Sequence, residues 1–115
     1  MRLKSAIWVA AYVRRSHLEG AFAVVRRRGA EEAGAIFIKV SRLDGTAALY
    51  APAPQSAFED SQPGDRLFVP VLPDTYGAEA EVEARLAREM KFDPDVWIVE
   101  VEDRQGRHFL ELARG

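Results

Sequence analysis

The densest chemistry in this sequence is the run Arg26-Arg27-Arg28, with Arg14 and Arg15 upstream of it. Guanidinium forks match the oxygens of phosphates and carboxylates, so these five arginines form a candidate anion-binding set. At successive positions of an extended chain, Arg26, Arg27 and Arg28 would fan out over both sides of a sheet edge. A plainer account is that they keep the end of a strand in solution and block edge pairing. Nucleic-acid binding is the weaker form of the anion reading. Aromatic residues do not alternate with the basic run as they do where bases stack, and the motif of RNA-recognition sheets is missing.

Other residue types exclude more than they suggest. Gly29 and Gly34 bracket Ala30-Glu31-Glu32-Ala33. No Gly-Lys-Ser/Thr follows and no strand–helix unit opens on Gly-x-Gly-x-x-Gly, so this is neither a phosphate loop nor a dinucleotide fingerprint. It reads as a turn. His17 and His108 each stand alone, whereas a metal site draws on a close pair or on carboxylates nearby. The sequence implies no metal and no cofactor. No serine sits in a Gly-x-Ser-x-Gly setting. The candidate groups for acid–base chemistry are His17 and the cluster Glu100, Glu102 and Asp103; none is singled out as catalytic, and whether the chain is an enzyme stays open.

Composition sets the frame for these groups. At 115 residues the chain is read as one domain, 1–115,. Nearly half of it is hydrophobic, enough for one core, since a domain of this size buries roughly two thirds of its unfolded surface. There are no cysteines. That removes disulfides, thiol nucleophiles and Cys-based clusters, and fits a reducing cytoplasm. The apolar run from Ala6 to Val13 ends in Arg14-Arg15 with no small-residue cleavage site. No apolar run nears the ~20 residues of a membrane span, so a soluble cytoplasmic protein without membrane contact is expected. Residues 1–45 carry nine Lys/Arg against four Asp/Glu, and residues 46–115 carry seven against fourteen. This asymmetry marks either an anion-binding face or charges that pair across the fold.

The elements that would position these residues follow from periodicity. Ser5 is a candidate N-cap for a helix from Ala6 to about Leu18, with Gly20 supplying the left-handed residue past its end; the β-branched content of Ile7 to Val13 also allows a strand there. Its first turns are apolar on all sides, which predicts burial on more than one face, against the sheet and a second element or another subunit. Residues 21–28 alternate as a strand, with Phe22, Val24, Arg26 and Arg28 on one face. Ala35 to Ser41 is the clearest strand, and Asp44-Gly45 turns it into an antiparallel return at Ala47 to Tyr50. Three consecutive antiparallel strands are expected. Residues 51–65 form a loop with a stiff Pro-x-Pro, from which Phe58 docks on the core or meets a partner. Asp65 to Val71 is an edge strand or an irregular extended segment because of Pro70, and Pro73 to Gly77 a loop. Ala78 to Met90 is a helix, with Val82, Leu86 and Met90 in line and Glu81 able to pair with Arg85. Asp95 to Asp103 is a strand. Gln105-Gly106 turns the chain into a last strand, Arg107 to Leu112, forming a hairpin.

Several stretches carry a family resemblance. They are Arg2-Leu3-Lys4-Ser5 with Trp8-Val9-Ala10 and Arg14-Arg15, Arg27 to Ile38, Asp44-Gly45-Thr46, Pro52-Ala53-Pro54-Gln55, and Trp97 to Asp103. Together they resemble the alphaproteobacterial family called domain of unknown function 1491, over nearly the whole chain. Ala33-Gly34-Ala35-Ile36-Phe37-Ile38 is the most specific part. The resemblance implies a compact bacterial protein and brings no activity or catalytic residue with it.

The expected fold is α+β, a mainly antiparallel sheet of four to six strands with two helices on one face. The expected function is a small binding or interaction module without catalysis, whose partner is another protein or a second copy of the chain. The alternatives are anion or nucleic-acid binding through the arginines, and a small enzyme using carboxylates or His17.

Overall fold

A computed structural model describes residues 3–54 and 66–113. The elements in chain order are α1 (Ser5–Leu18), β1 (Phe22–Arg27), β2 (Ile36–Ser41), β3 (Thr46–Pro52), β4 (Phe68–Pro70), β5 (Tyr76–Ala78), α2 (Glu79–Phe92) and β6 (Trp97–Glu102). The strands form one mixed, mostly antiparallel sheet in the order β1-β6-β2-β3-β4, with β5 also on β3. The α+β class holds. Among the described residues no helix is long and apolar enough to cross a membrane.

The β2–β3 hairpin forms as its sequence predicts, pairing Ile38 with Tyr50 and Ser41 with Ala47. In its turn the positive φ falls on Leu43 and Gly45, while Asp44 Oδ1 accepts from the Thr46 N–H at 2.9 Å. The expected run of three consecutive antiparallel strands does not form. β6 lies between β1 and β2, antiparallel to β1 and parallel to β2. Every residue of β2 is buried. A strand apolar on both faces needs a partner along each edge and a layer over each side, and the Val- and Ile-rich β6 supplies the missing edge.

The same rule corrects the placement of the helices. They do not share a face. Val9 and Tyr12 of α1 pack with Ile36, Ile38, Val40 and Val99. Val82 and Leu86 of α2 pack with Phe37, Leu49 and Ile98. Successive strand residues point to opposite sides, so Phe37, Leu49 and Ile98 would face water unless α2 covered them. Conversely, α1 is not buried all round: its inner face carries Ser5, Val9, Tyr12 and Ser16, and Ile7 on the outside is 52% exposed.

The ends of the elements show three further departures. Ser5 is the first helical residue of α1, not its cap. The first amides are satisfied by the turn before β2, Ser5 N–H donating to Glu32 O and Ala6 N–H to Glu31 O, both at 3.0 Å. On α2, Arg85 pairs forward with Glu89 at 3.0 Å. The last strand is absent: both edges of β6 are already taken, so residues after Gly106 have no place beside it. They cross instead to β4, where Phe68 N–H donates to Glu111 O and Ala113 N–H to Phe68 O. β4 is an edge strand with Pro70 at its end, and part of the 73–77 loop becomes β5. The expected docking of Phe58 lies outside the described residues.

Candidate functional site

The five arginines singled out by the sequence fall in different surroundings. Arg26 lies on the α2 side of the sheet, its guanidinium 2.7 Å from Glu83 and 3.2 Å from Glu100. Arg27 Nη2 donates to Pro94 O at 2.7 Å. Arg28 stands over the Trp97 ring, 5.1 Å from its centroid. Arg14 and Arg15 are exposed on α1, which packs on the other face. The fold thus does not bring the five to one place.

On the α2 side, Arg26 joins a network that the sequence reading missed. Lys39, on β2, is almost completely buried and reaches Glu83 at 2.6 Å, Glu79 at 3.0 Å and Glu100 at 3.5 Å. Hydrogen bonds from Arg26, helped by Lys39 and opposed by burial, pull the Glu83 carboxyl down to about 2. The signal was present in the sequence as a lysine between Ile38 and Val40 on an otherwise apolar strand. Such a residue has to be paired if the strand is central.

The acid–base candidates are also engaged. Asp103 accepts from Arg107 Nη2 at 2.8 Å and from the Arg107 N–H at 2.8 Å, and the guanidinium holds its carboxyl below the usual range. Glu102, at the end of the inner strand β6, lies between Phe22 and Ser41. One nitrogen of His17, Nε2, lies 2.9 Å from Ala23 O. His108 Nδ1 accepts from the Leu110 N–H at 2.9 Å, and burial lowers the affinity of its ring for a proton. Among the described residues, no three His, Cys, Asp or Glu side chains gather as a metal site requires.

A concave site does form, on the α1 side. The Asp103–Arg107 clamp and Gly106, at φ 71°, turn the chain after β6 back towards α1. There the Tyr12 hydroxyl donates to His108 O at 2.6 Å. The phenol is buried and its pKa is pushed up, so it stays a donor. Between α1 and this returning segment lies a cleft of about 330 Å³, lined by Trp8, Tyr12, Arg15, Arg66 and Phe109 among others. Trp8 and Tyr12 stack face to face, 5.0 Å between centroids and 10° between planes. Phe109 has φ 55°, a strained conformation for a bulky residue. A second hollow of about 460 Å³ adjoins it, sharing Leu3 and Arg66. Of the arginines expected to bind anions, only Arg15 lines this cleft. The sequence could not show the site, because Trp8 and Phe109 are 101 residues apart.

Residues 3–111 match the family model described as "Protein of unknown function (DUF1491)". The chain belongs to the DUF1491 family. A crystal structure of a DUF1491 protein from Caulobacter crescentus is 41% identical, with a TM-score of 0.80 and complete coverage of both chains. A solution structure of an Agrobacterium tumefaciens protein is also 41% identical, with a TM-score of 0.81, covering all of this chain and 98% of that one. Both organisms are alphaproteobacteria, the source that the resemblance implied. Among curated proteins none matches the chain. DUF1491 membership fixes fold and lineage, and no activity or site residue comes with it.

Proposed function

We propose that this DUF1491 protein is a non-catalytic binding module that holds a ligand in the cleft between α1 and the segment after β6. One observation carries the reading: this concavity collects aromatic walls and a cation, Arg15, whose guanidinium makes no hydrogen bond or ion pair among the described residues. Ligand sites are concave, largely apolar, and carry a few polar groups. The left-handed Phe109 adds support, since strained residues gather at such places. Glu83, Glu100 and Asp103, by contrast, are each spent on a basic partner. A cytoplasmic location accords with the reading and is supported by the lack of cysteine,. The test is an NMR titration of ¹⁵N-labelled protein with a fragment set of ring acids, ring amines and neutral rings. Saturable shifts should gather on Trp8, Arg15, Phe109 and Leu110. Shifts gathered elsewhere, or none, would overturn it.

A second reading, self-association, has its own observation. The outer edge of β1 has no strand partner among the described residues, and Phe22 and Val24 on it are 57% and 42% exposed. An unpaired apolar edge invites another strand, and a second copy of β1 is one. Size-exclusion chromatography with light scattering should then show a dimer at micromolar concentration that Val24→Lys converts to monomer. A monomer throughout removes the reading.

A further inference from the structure

We infer that the cleft takes a planar aromatic or heteroaromatic ring carrying an anionic group, a phosphate, sulfonate or carboxylate. This rests on the cleft being the binding site, and it names what binds there.

The ring half of the ligand is argued from the walls. Trp8 and Tyr12 are one helical turn apart on α1, so their rings stack on each other,. Trp8 is also braced by Phe68, 5.3 Å away at 36°. The indole is therefore fixed in place yet only half-buried, a rigid flat surface already ordered before a ligand arrives. Its N–H has no partner among the described residues, which leaves a donor at the ring's edge. Phe109 lines the same cleft from the returning segment. The backbone that holds it is pinned on both sides, by Tyr12 on His108 O and by the Leu110 N–H on His108 Nδ1. Flat, pre-ordered aromatic surfaces favour flat ligands, because stacking is then gained without ordering the site.

The anionic half is argued from Arg15. It follows Tyr12 by three residues, so it shares the cleft side of α1, and its guanidinium is unpaired among the described residues. Arg66 also lines the cleft but is engaged, its Nη2 donating to Leu3 O at 2.7 Å, so the anionic half rests on Arg15. Glu111 also lines the cleft. A carboxylate there disfavours a compact, highly charged anion and suits a ligand with its charge at one end only. A space of about 330 Å³ holds one substituted ring system, at the small end of ligand pockets.

The experiment uses four probes in the same NMR titration: adenosine monophosphate, naphthalene-2-sulfonate, adenosine and inorganic phosphate. Both ring acids should move the Trp8 indole N–H and the amides of Arg15, Phe109 and Leu110. Adenosine and phosphate alone should bind about tenfold more weakly or worse. Whichever ring acid binds more tightly assigns the ligand to nucleotides or to simple aryl acids. Arg15→Ala should weaken both ring acids about tenfold and leave adenosine binding unchanged. Trp8→Phe, which keeps the packing on Phe68, should weaken them by less. Thermal melts establish that each variant is folded. Equal binding of phosphate and adenosine monophosphate would reduce the site to a bare anion site and overturn the inference. So would equal binding of adenosine. If neutral or basic fragments bind in the cleft and neither ring acid does, the ligand class falls while the binding reading stands. If nothing binds there, both fall.

Discussion

Lys39 Nζ lies 2.6 Å from Glu83 Oε2, joining the central strand β2 to helix α2 across their interface. Burial alone would depress this amine, but hydrogen bonds to Glu83 and Glu79 and the charge of Glu100 outweigh it, so Lys39 holds its proton more tightly than usual. The cation is therefore part of the packing between strand and helix.

Removing one partner exposes how much that pairing matters. Glu83→Gln leaves Lys39 buried with weaker contacts and frees Arg26 from its two-point bond. Hydrogen bonds to charged groups contribute about 1.5–3 kcal/mol each, and Glu83 is partly exposed, so solvent screening puts the loss near the lower end. Urea denaturation at neutral pH should show it as a reduced midpoint with an unchanged slope.

The same carboxylate sets part of the acid sensitivity. Its folded pKa is depressed to about 2, by Arg26 first and Lys39 next. A depressed carboxylate contributes stability that is complete above its unfolded pKa and is lost as pH falls towards the folded one. Urea midpoints should therefore fall between roughly pH 5 and pH 2, and Glu83→Gln should flatten that limb. On the alkaline side the sign reverses: the raised Lys39 contributes fully below about 10.5 and loses its part as pH climbs past its folded value.

Gly34 should tolerate no side chain. A Cβ there would run into the Asp95 carbonyl and lie 2.9 Å from Ala30 N, and Gly29 meets the same carbonyl. Gly34→Ala should destabilise by about 1–3 kcal/mol through overpacking. Gly20, with φ 90° and open space around it, carries only the backbone penalty of about 1–2 kcal/mol. Ser5→Ala tests the same junction. It removes the 2.7 Å bond from Ser5 Oγ to Gly34 O in a buried position, and leaving that carbonyl unpaired costs about 1–3 kcal/mol. Thermal melts of the three variants give the ranking.

His108 should titrate below an ordinary histidine, because burial opposes its charged form. A histidine depressed in the folded state contributes stability present above the unfolded pKa and lost as pH falls through the folded one. Imidazole NMR should give the midpoint. Protonation takes the Nδ1 acceptor away from the Leu110 N–H, so residues 107–110 should show lower amide-exchange protection factors over the same range.

Much of the fold was legible locally. Alternation in Ile36 to Val40 and Trp97 to Val101, the i, i+4 line of Val82 and Leu86, and Pro70 at an edge each report a short-range rule. The glycine-bracketed turn was legible as a turn, but its reason was not. Gly29 and Gly34 are small because the chain passes under Asp95 there, and the turn's carbonyls cap α1. The candidate site was mostly illegible. Arg26 to Arg28 stood out in the sequence because they are adjacent. Folding assigned them to Glu83, Pro94 and Trp97, and left Arg15 on the cleft.

The sequence by itself determined the class, α+β, the β2–β3 hairpin, the two helices and the family, since periodicity, turn chemistry and residue identity are properties of neighbouring residues. Only the tertiary structure decided that β6 parts β1 from β2, that the helices take opposite faces, and that Trp8, Arg15 and Phe109 share a cleft. The physical reason is that strand order and helix placement are settled by covering apolar surface on both sides of a central strand. That condition couples residues far apart in the chain, and no local pattern encodes which of them will meet.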